Sequence, residues 1–282
     1  MNLLSFYKIY YRHRIVKANI FLKFYLIIIL PIRYLVNLPF FPKRINLDIY
    51  SKKNQYLFQK DLNYLFEFFN SDKGNFYIDQ YIQPIKKTSL KINAHGYSPF
   101  YEKYFVLKKE EKINILELGS FYGNASASLY CYFKNSKIYS GDVLPDLFRY
   151  KSNRVKNFLI DTSSEISITQ NLLNLDRNYD IIIEDASHSL KDQIISLFLL
   201  FKKINPNGLF ICEELDFPET RKDMNPNNEY PDLKTILLNI KNKQDFNSKY
   251  IKQEDKIYFL ENFRNIELYK GKYNEVAIIE KK

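Results

Sequence analysis

The chain is poor in cysteine: Cys131 and Cys212 are the only two in 282 residues, and both fall inside apolar stretches. A disulfide framework is excluded on that basis, and a reducing, cytoplasmic compartment is the expected setting. The sequence also lacks internal repeats and low-complexity linkers beyond residue 54, so one large folded domain is expected there. It lacks the run of about 20 apolar residues that a helix needs to cross a bilayer. The nearest approach is Phe24 to Ile32, nine uncharged and mostly apolar residues fenced by Lys23 and Arg33. No small-residue cleavage site follows it, so a signal peptide is not expected. What the chain does have is a hydrophobic content of 46%, enough for a substantial core.

Charge is unevenly placed. The formal net charge is +10, from 42 Lys and Arg against 32 Asp and Glu. Residues 1–60 hold eleven of the bases and a single acid, Asp48, so the whole excess lies in that segment. Basic residues mixed with Phe, Tyr, Leu and Ile suit a helix lying in a membrane interface and drawn to anionic lipid, a peripheral contact through residues 1–50. An equally weighted reading is a helical cap packed on the main domain or on a second subunit of a homo-oligomer. Apolar density this high argues against a solvated nucleic-acid-binding face, and no nucleic-acid partner is expected. Pro31, Pro39 and Pro42 are expected to break the segment into two short helices, or a helix and an extended piece.

Further on, Asn54 to Asn70 has apolar residues at roughly helical spacing and is expected to form one helix, closed by the turn residues Ser71-Asp72-Lys73-Gly74. Residues 75–94 read as a loop or short lid, and His95 to Phe105 as the start of a helix. The pattern then becomes organised around Ile113 to Gly123, INILELGSFYG, a buried strand followed by a tight glycine turn and a helix from Asn124 to Phe133. The helix's free N-terminal amides point at whatever the turn holds. The Gly-Lys-Ser/Thr ending of a phosphate-binding loop is missing. The Gly-x-Gly-x-x-Gly spacing of a dinucleotide fold is replaced by Gly119-x-x-x-Gly123.

After the turn, strand and helix alternate. Strands are expected at Lys137 to Val143, Val155 to Asp161, Tyr179 to Asp185 and Leu209 to Glu214, with helices at Leu190 to Ile204 and from about Pro231 to Asn242. Asn265 to Tyr269 and Glu275 to Ile279 form a closing antiparallel hairpin. The alternation predicts an α/β, doubly wound fold with a helical N-terminal extension, and the motif resemblance given below implies a Rossmann-like, mostly parallel seven-stranded sheet with a C-terminal antiparallel hairpin. Three regions follow: the basic, apolar extension (1–53), a helical cap and lid region (54–111) and the main domain (112–282).

Ligands of such sheets collect at the C-terminal strand ends, and here those ends are acidic. Asp142 ends the second strand, and Asp161 with Ser163 ends the third. The fourth runs out into Glu184-Asp185-Ala186-Ser187-His188, and the fifth ends in Glu213-Glu214. Carboxylates converging on one crevice repel one another unless a cation lies between them, and Mg²⁺ or a similar hard divalent ion is the simplest resolution.

Glu117-x-Gly119-x-x-x-Gly123 resembles the first motif of the class I S-adenosylmethionine (SAM) dependent methyltransferases, whose glycine turn faces the methionine and ribose of the cofactor. On that resemblance Asp142 accepts hydrogen bonds from the ribose hydroxyls, and Asp161 and Ser163 lie near the adenine. YDIIIEDASHSLKDQ, GLFICEEL, SDKG and HGYSPFYEKYF together resemble the metal-dependent sugar O-methyltransferases of the mycinamicin and macrocin type, from about Ser71 onward. That resemblance implies Asp185 and Glu214 as Mg²⁺ ligands and His188 as the general base, with Tyr97 and His95 lining the cofactor or acceptor pocket. The chain departs from the family's usual Asp-Asp-Gly-Ser-His and Glu-Asp-Leu, so Glu213 is kept as a substitute for Glu214. The acceptor implied is a sugar hydroxyl, free, nucleotide-linked, or on a lipid or glycan. The other classes considered are a phenolic O-methyltransferase, an RNA methyltransferase and a non-catalytic SAM-fold scaffold at a membrane. An RNA base N-methyltransferase is disfavoured by the missing Asn/Asp-Pro-Pro-Tyr motif. His13 is given no role.

Overall fold

The computed structural model describes residues 2–11, 15, 18–41, 43–78 and 91–282. His13, Pro42 and most of the expected lid lie outside these. Two helices, α1 (Leu3–Tyr10) and α2 (Ile20–Asn37), begin the chain, followed by α3 (Leu62–Phe68), α4 (Ser98–Phe105) and strand β1 (Asn114–Leu118). Then come α5 (Asn124–Tyr132), β2 (Lys137–Asp142), β3 (Val155–Leu159), β4 (Tyr179–Glu184), α6 (Leu190–Leu200) and β5 (Ile204–Cys212). Helices α7 (Leu233–Lys241) and α8 (Gln253–Asn262) and strands β6 (Phe263–Lys270) and β7 (Glu275–Lys281) complete it.

The seven strands form one sheet in the order β6-β7-β5-β4-β1-β2-β3. The five from β1 to β5 pair in parallel, while β7 runs antiparallel to both β5 and β6. Alternation along the strands sends side chains to two cores. Leu116, Leu118 and Ile182 join Leu197, Leu237 and Phe259 of α6, α7 and α8 on one face. Ile115, Ile181 and Ile183 join Leu65, Tyr101 and Leu129 of α3, α4 and α5 on the other. Residues of the expected cap, 54–111, therefore share a core with the sheet.

Several local expectations are corrected. Helix α2 runs straight through Pro31, because a proline there forfeits only the bond to the carbonyl of Ile27, and it absorbs Lys23 and Arg33. At 18 residues, about 27 Å by helical rise, it is long and apolar enough to approach the thickness of a bilayer core. The expected Asn54–Asn70 helix divides into a 3₁₀ turn, Gln55–Gln59, and α3, since Asp61 caps α3 by accepting from the Tyr64 amide at 2.7 Å. Within the expected loop or lid, Phe76–Ile78 and Lys91–Asn93 instead pair as antiparallel strands. Strand β5 starts at Ile204 and takes in Asn205-Pro206-Asn207-Gly208, so α6 ends earlier than its apolar run does. Helix α8 and the pairing of Ile45–Asn46 with Tyr150–Lys151 were not anticipated.

Gly119 follows β1 at φ +82°, and a Cβ there would stand 1.8 Å from the carbonyl oxygen of Asp185. Only glycine lets the β1 turn and the β4 tip lie this close. Gly119→Ala is expected to cost about 3 kcal/mol, since backbone rather than a side chain must move. Urea unfolding measures this, and an unchanged midpoint would refute the close approach.

Candidate active site

The glycine turn and the strand tips enclose a cleft of about 510 Å³, within the usual range for small-molecule sites. Glu117, Gly119, Phe121, Asp142, Asp185, His188 and Glu214 are among its walls. Gly123, at φ +79°, starts α5 without a side-chain cap, which leaves the first amides of that helix uncommitted to one. The Asp142 carboxylate shapes the turn it follows, accepting from the Phe121 and Leu144 amides at 2.7 Å each. Burial raises its pKa, and the two amides partly offset this. Glu117 is buried on β1 and accepts from the Ser126 hydroxyl, which also pairs with Ser140 at 2.7 Å. Burial pushes its carboxyl up to about 7, against the partial pull of the Lys73 ammonium.

At the other end of the cleft, Asp185, His188 and Glu214 bring ligand atoms within 4.8 Å of one another. His188 Nε2 is 3.7 Å from Asp185 Oδ1, and its Nδ1 is 3.6 Å from Glu214 Oε2. Both His188 (φ 56°) and Glu214 (φ 47°) sit in the left-handed region, a strain that persists where surrounding structure over-determines it. The Gln193 amide on α6 helps by donating to the Glu213 and Glu214 carbonyls at 3.1 and 3.2 Å. His95 holds the second oxygen of Glu214. Its Nε2 lies 3.2 Å from Oε1, while Asn274 Nδ2 donates to its Nδ1 at 3.0 Å, which assigns the ring proton to Nε2.

The crevice contains a residue that sequence reasoning read only as part of a turn. Lys73 is fully buried, and its Nζ binds Glu213 Oε2 at 2.8 Å and Asp185 Oδ2 more closely still. Burial opposes its charge, but Asp185 and Glu213 outweigh that and hold the ammonium well above the usual lysine range. The Asp185 carboxyl resists burial because Lys73 lies beside it, and stays below the usual range. Burial first, then the charge of Asp185, drives the Glu213 and Glu214 carboxyls well above theirs. Burial lowers His188 as well, so its imidazole is neutral near pH 7.

The structure brings together only some of the sequence-derived candidates. Glu213 turns away from the three-residue cluster, bonded to Lys73 and the Tyr101 hydroxyl. Tyr97 is fully buried behind the wall, its ring stacked on His95 with centroids 5.2 Å apart. Asp161 and Ser163 are exposed and close a turn on each other, with Ser163 Oγ donating to Asp161 Oδ1 at 2.6 Å, and neither borders the cleft. The only trace of Lys73 in the sequence was an acid-flanked lysine inside SDKG.

The residues at the β4 and β5 tips fit a divalent cation. Oε2 of Glu214 and Nδ1 of His188 are buried without a hydrogen-bond partner, and carboxylate oxygens are what a hard ion takes. The built-in ammonium of Lys73 answers part of the repulsion argument for a metal, yet it faces Asp185 and Glu213 and leaves Glu214 Oε2 without a partner.

A parallel sheet in this order, with an antiparallel β7 and a glycine turn after β1, is the fold of class I SAM-dependent methyltransferases. The solved MycE methyltransferase of the mycinamycin pathway, in complex with Mg and SAH, superposes with a TM-score of 0.59 at 18% identity, covering 79% of this chain and 54% of that one. Its complex that also holds mycinamycin VI gives 0.58. No protein-family model matches the chain.

In sequence the chain is similar to 8-demethyl-8-alpha-L-rhamnosyl tetracenomycin-C 2'-O-methyltransferase of Streptomyces olivaceus. Identity is 27% over 138 residues, 46% of this chain and 36% of the relative. It is also similar to demethylmacrocin O-methyltransferase of Streptomyces fradiae (24% identical, 44% and 32% covered) and mycinamicin VI 2''-O-methyltransferase of Micromonospora griseorubida (23%, 43% and 32%). The matched stretch spans about a third of the length of these relatives. The resemblance to sugar O-methyltransferases read from the motifs is borne out.

Glu117 yields a test by linkage. Its folded pKa is raised from 4.5 to about 7, so the stability tied to its neutral form is complete below pH 4.5 and lost as pH rises through about 7. Glu117→Gln keeps a neutral acceptor for Ser126. It should match the wild type at about pH 4.5 and exceed it by up to about 3 kcal/mol at about pH 8, by urea unfolding. Parallel stability curves for the two proteins would count against this.

Proposed function

We propose that the protein is a SAM-dependent O-methyltransferase that methylates a sugar hydroxyl, with a divalent cation such as Mg²⁺ and His188 as general base. The observation that carries this reading is the meeting of Asp185, His188 and Glu214 in the same cleft as the glycine turn. SAM lies along the turn, with Glu117, Gly119, Gly123 and Asp142 as its contacts. The tetracenomycin relative is by its name a methyltransferase of a rhamnosyl compound, which favours a sugar over a phenol.

Methyl transfer is an in-line displacement: the acceptor oxygen bonds to the methyl carbon, the C–S bond breaks, and its electron pair neutralises the sulfonium. The hydroxyl proton must leave. An alcohol holds it near pKa 16, about as water does, while imidazole titrates near 6.5. A cation held by Asp185 and Glu214 would narrow that gap by acidifying and orienting the hydroxyl. His188, neutral and with Nδ1 shut off from solvent, takes the proton on Nε2. Lys73, anchored by Glu213, which the Tyr101 hydroxyl holds in turn, keeps Asp185 ionised and aimed. His95 aims Glu214 from 3.2 Å away, with Tyr97 stacked behind it. Cys131 and Cys212, both free and buried, suit a cytoplasmic enzyme.

Titration calorimetry with SAH is the first test, and no uptake would end this reading. His188→Ala should then lower transfer by about 10² to 10⁴ with SAH affinity unchanged, and chelation should abolish turnover reversibly. Full activity in the variant would remove the base assignment, and full activity after exhaustive chelation the metal.

A further inference from the structure

We infer that the acceptor is presented on a lipid: the N-terminal helices seat the enzyme on an anionic bilayer surface, and the methylated hydroxyl belongs to a sugar carried by a membrane-embedded amphiphile. This rests on the reading of the site as a sugar O-methyltransferase. Helix α2 is apolar and almost bare. Phe21 is 84% exposed, Ile28 68% and Leu35 65%, and Leu26 is its one buried residue. That residue packs with Phe6, Tyr11 and Ile15 in a small cluster of its own. A contiguous apolar surface along 18 residues is what a bilayer covers.

Charge selects the occupant. The chain's entire positive excess lies in residues 1–60, which anionic headgroups complement and which a second copy of the same segment would repel. Lys23, within the helix, has a stem long enough to carry its charge to the headgroup level.

Placement links this surface to the cleft. Asp146 accepts from the Asn2 amide at 2.8 Å and the Ser5 hydroxyl at 2.6 Å. At the other end of the segment, the Ile45 amide donates to the Arg149 carbonyl at 2.8 Å, and Ile45–Asn46 pair with Tyr150–Lys151. Both ends are thus fastened to residues 146–151. That stretch begins four residues after the cleft wall at Asp142, and its Arg149 amide donates to the carbonyl of a second wall residue, Tyr122, at 3.0 Å. The segment that carries the exposed helix is therefore fastened at both ends beside the cleft, near which an acceptor headgroup standing off a bilayer would arrive.

The test uses the full chain with vesicles of phosphatidylcholine alone and of equimolar phosphatidylcholine and phosphatidylglycerol. Flotation should favour the anionic vesicles about tenfold or more and weaken with salt. Phe21→Asp combined with Ile28→Asp should abolish it, with SAH affinity retained. Transfer to a long-chain alkyl glycoside in the anionic vesicles should exceed that to the soluble methyl glycoside of the same sugar by about tenfold. In the double variant the two rates should converge, the soluble rate being unchanged. Protein left in the dense fraction overturns the inference, as do self-association through Phe21 without vesicle binding and equal wild-type rates on the two glycosides. Transfer to neither glycoside, with SAH bound, overturns the sugar reading and with it the acceptor class, while flotation alone decides the membrane seat.

Discussion

A buried ammonium between a buried carboxylate and a half-buried one organises the crevice. Lys73 reaches Asp185 and Glu213 from a turn before the sheet begins, and removing it would leave acids that burial cannot tolerate in charged form. Because Lys73 and Tyr101 occupy Glu213, that side chain is drawn away from Glu214 despite adjacency in the chain. Glu214 falls to His95 and Asn274 on one oxygen, and its other oxygen is left facing His188. The cluster that can take a hard cation is Glu214 and His188 together with the Asp185 oxygen that Lys73 does not take.

This arrangement is stiff because several elements meet there. Residues 94–97 are laced to residues 72–75 by backbone bonds, which fixes His95 beside Lys73. The hairpin of β6 and β7 contributes Asn274 and holds residues 215–216 through Glu275. Gly119 lets the β1 turn touch the β4 tip, so the half of the cleft lined by Glu117 and Asp142 abuts the half lined by Asp185 and His188. On the proposed reading, such a cleft would put a donor along the turn next to a base and an acidic cluster, the juxtaposition that methyl transfer to an oxygen requires.

Much of the fold was legible locally. All seven strands and the helices α4 to α7 follow from apolar runs and alternation, and the acids at the strand tips follow from the sheet's ligand-binding edge. Local signals misled where a single residue was given too much weight. Pro31 was read as a break, yet one lost hydrogen bond does not stop a long apolar helix. Asp161 with Ser163 was read as a ligand pair, yet the two satisfy each other in an exposed turn. Tyr97 was placed in the pocket wall, and it lies behind it as a platform for His95.

The sequence by itself determined the periodicities, the glycine spacing, the order of the elements, and which residue types stand at the strand ends, because each is a property of neighbours along the chain. Only the tertiary structure decided how the carboxylates are shared. Lys73 meets partners 112 and 140 residues away, and His95 meets an asparagine 179 residues on. No local pattern encodes such pairings, since they arise when a sheet of distant strands brings buried charges within reach and each must find a counter-charge or be neutralised.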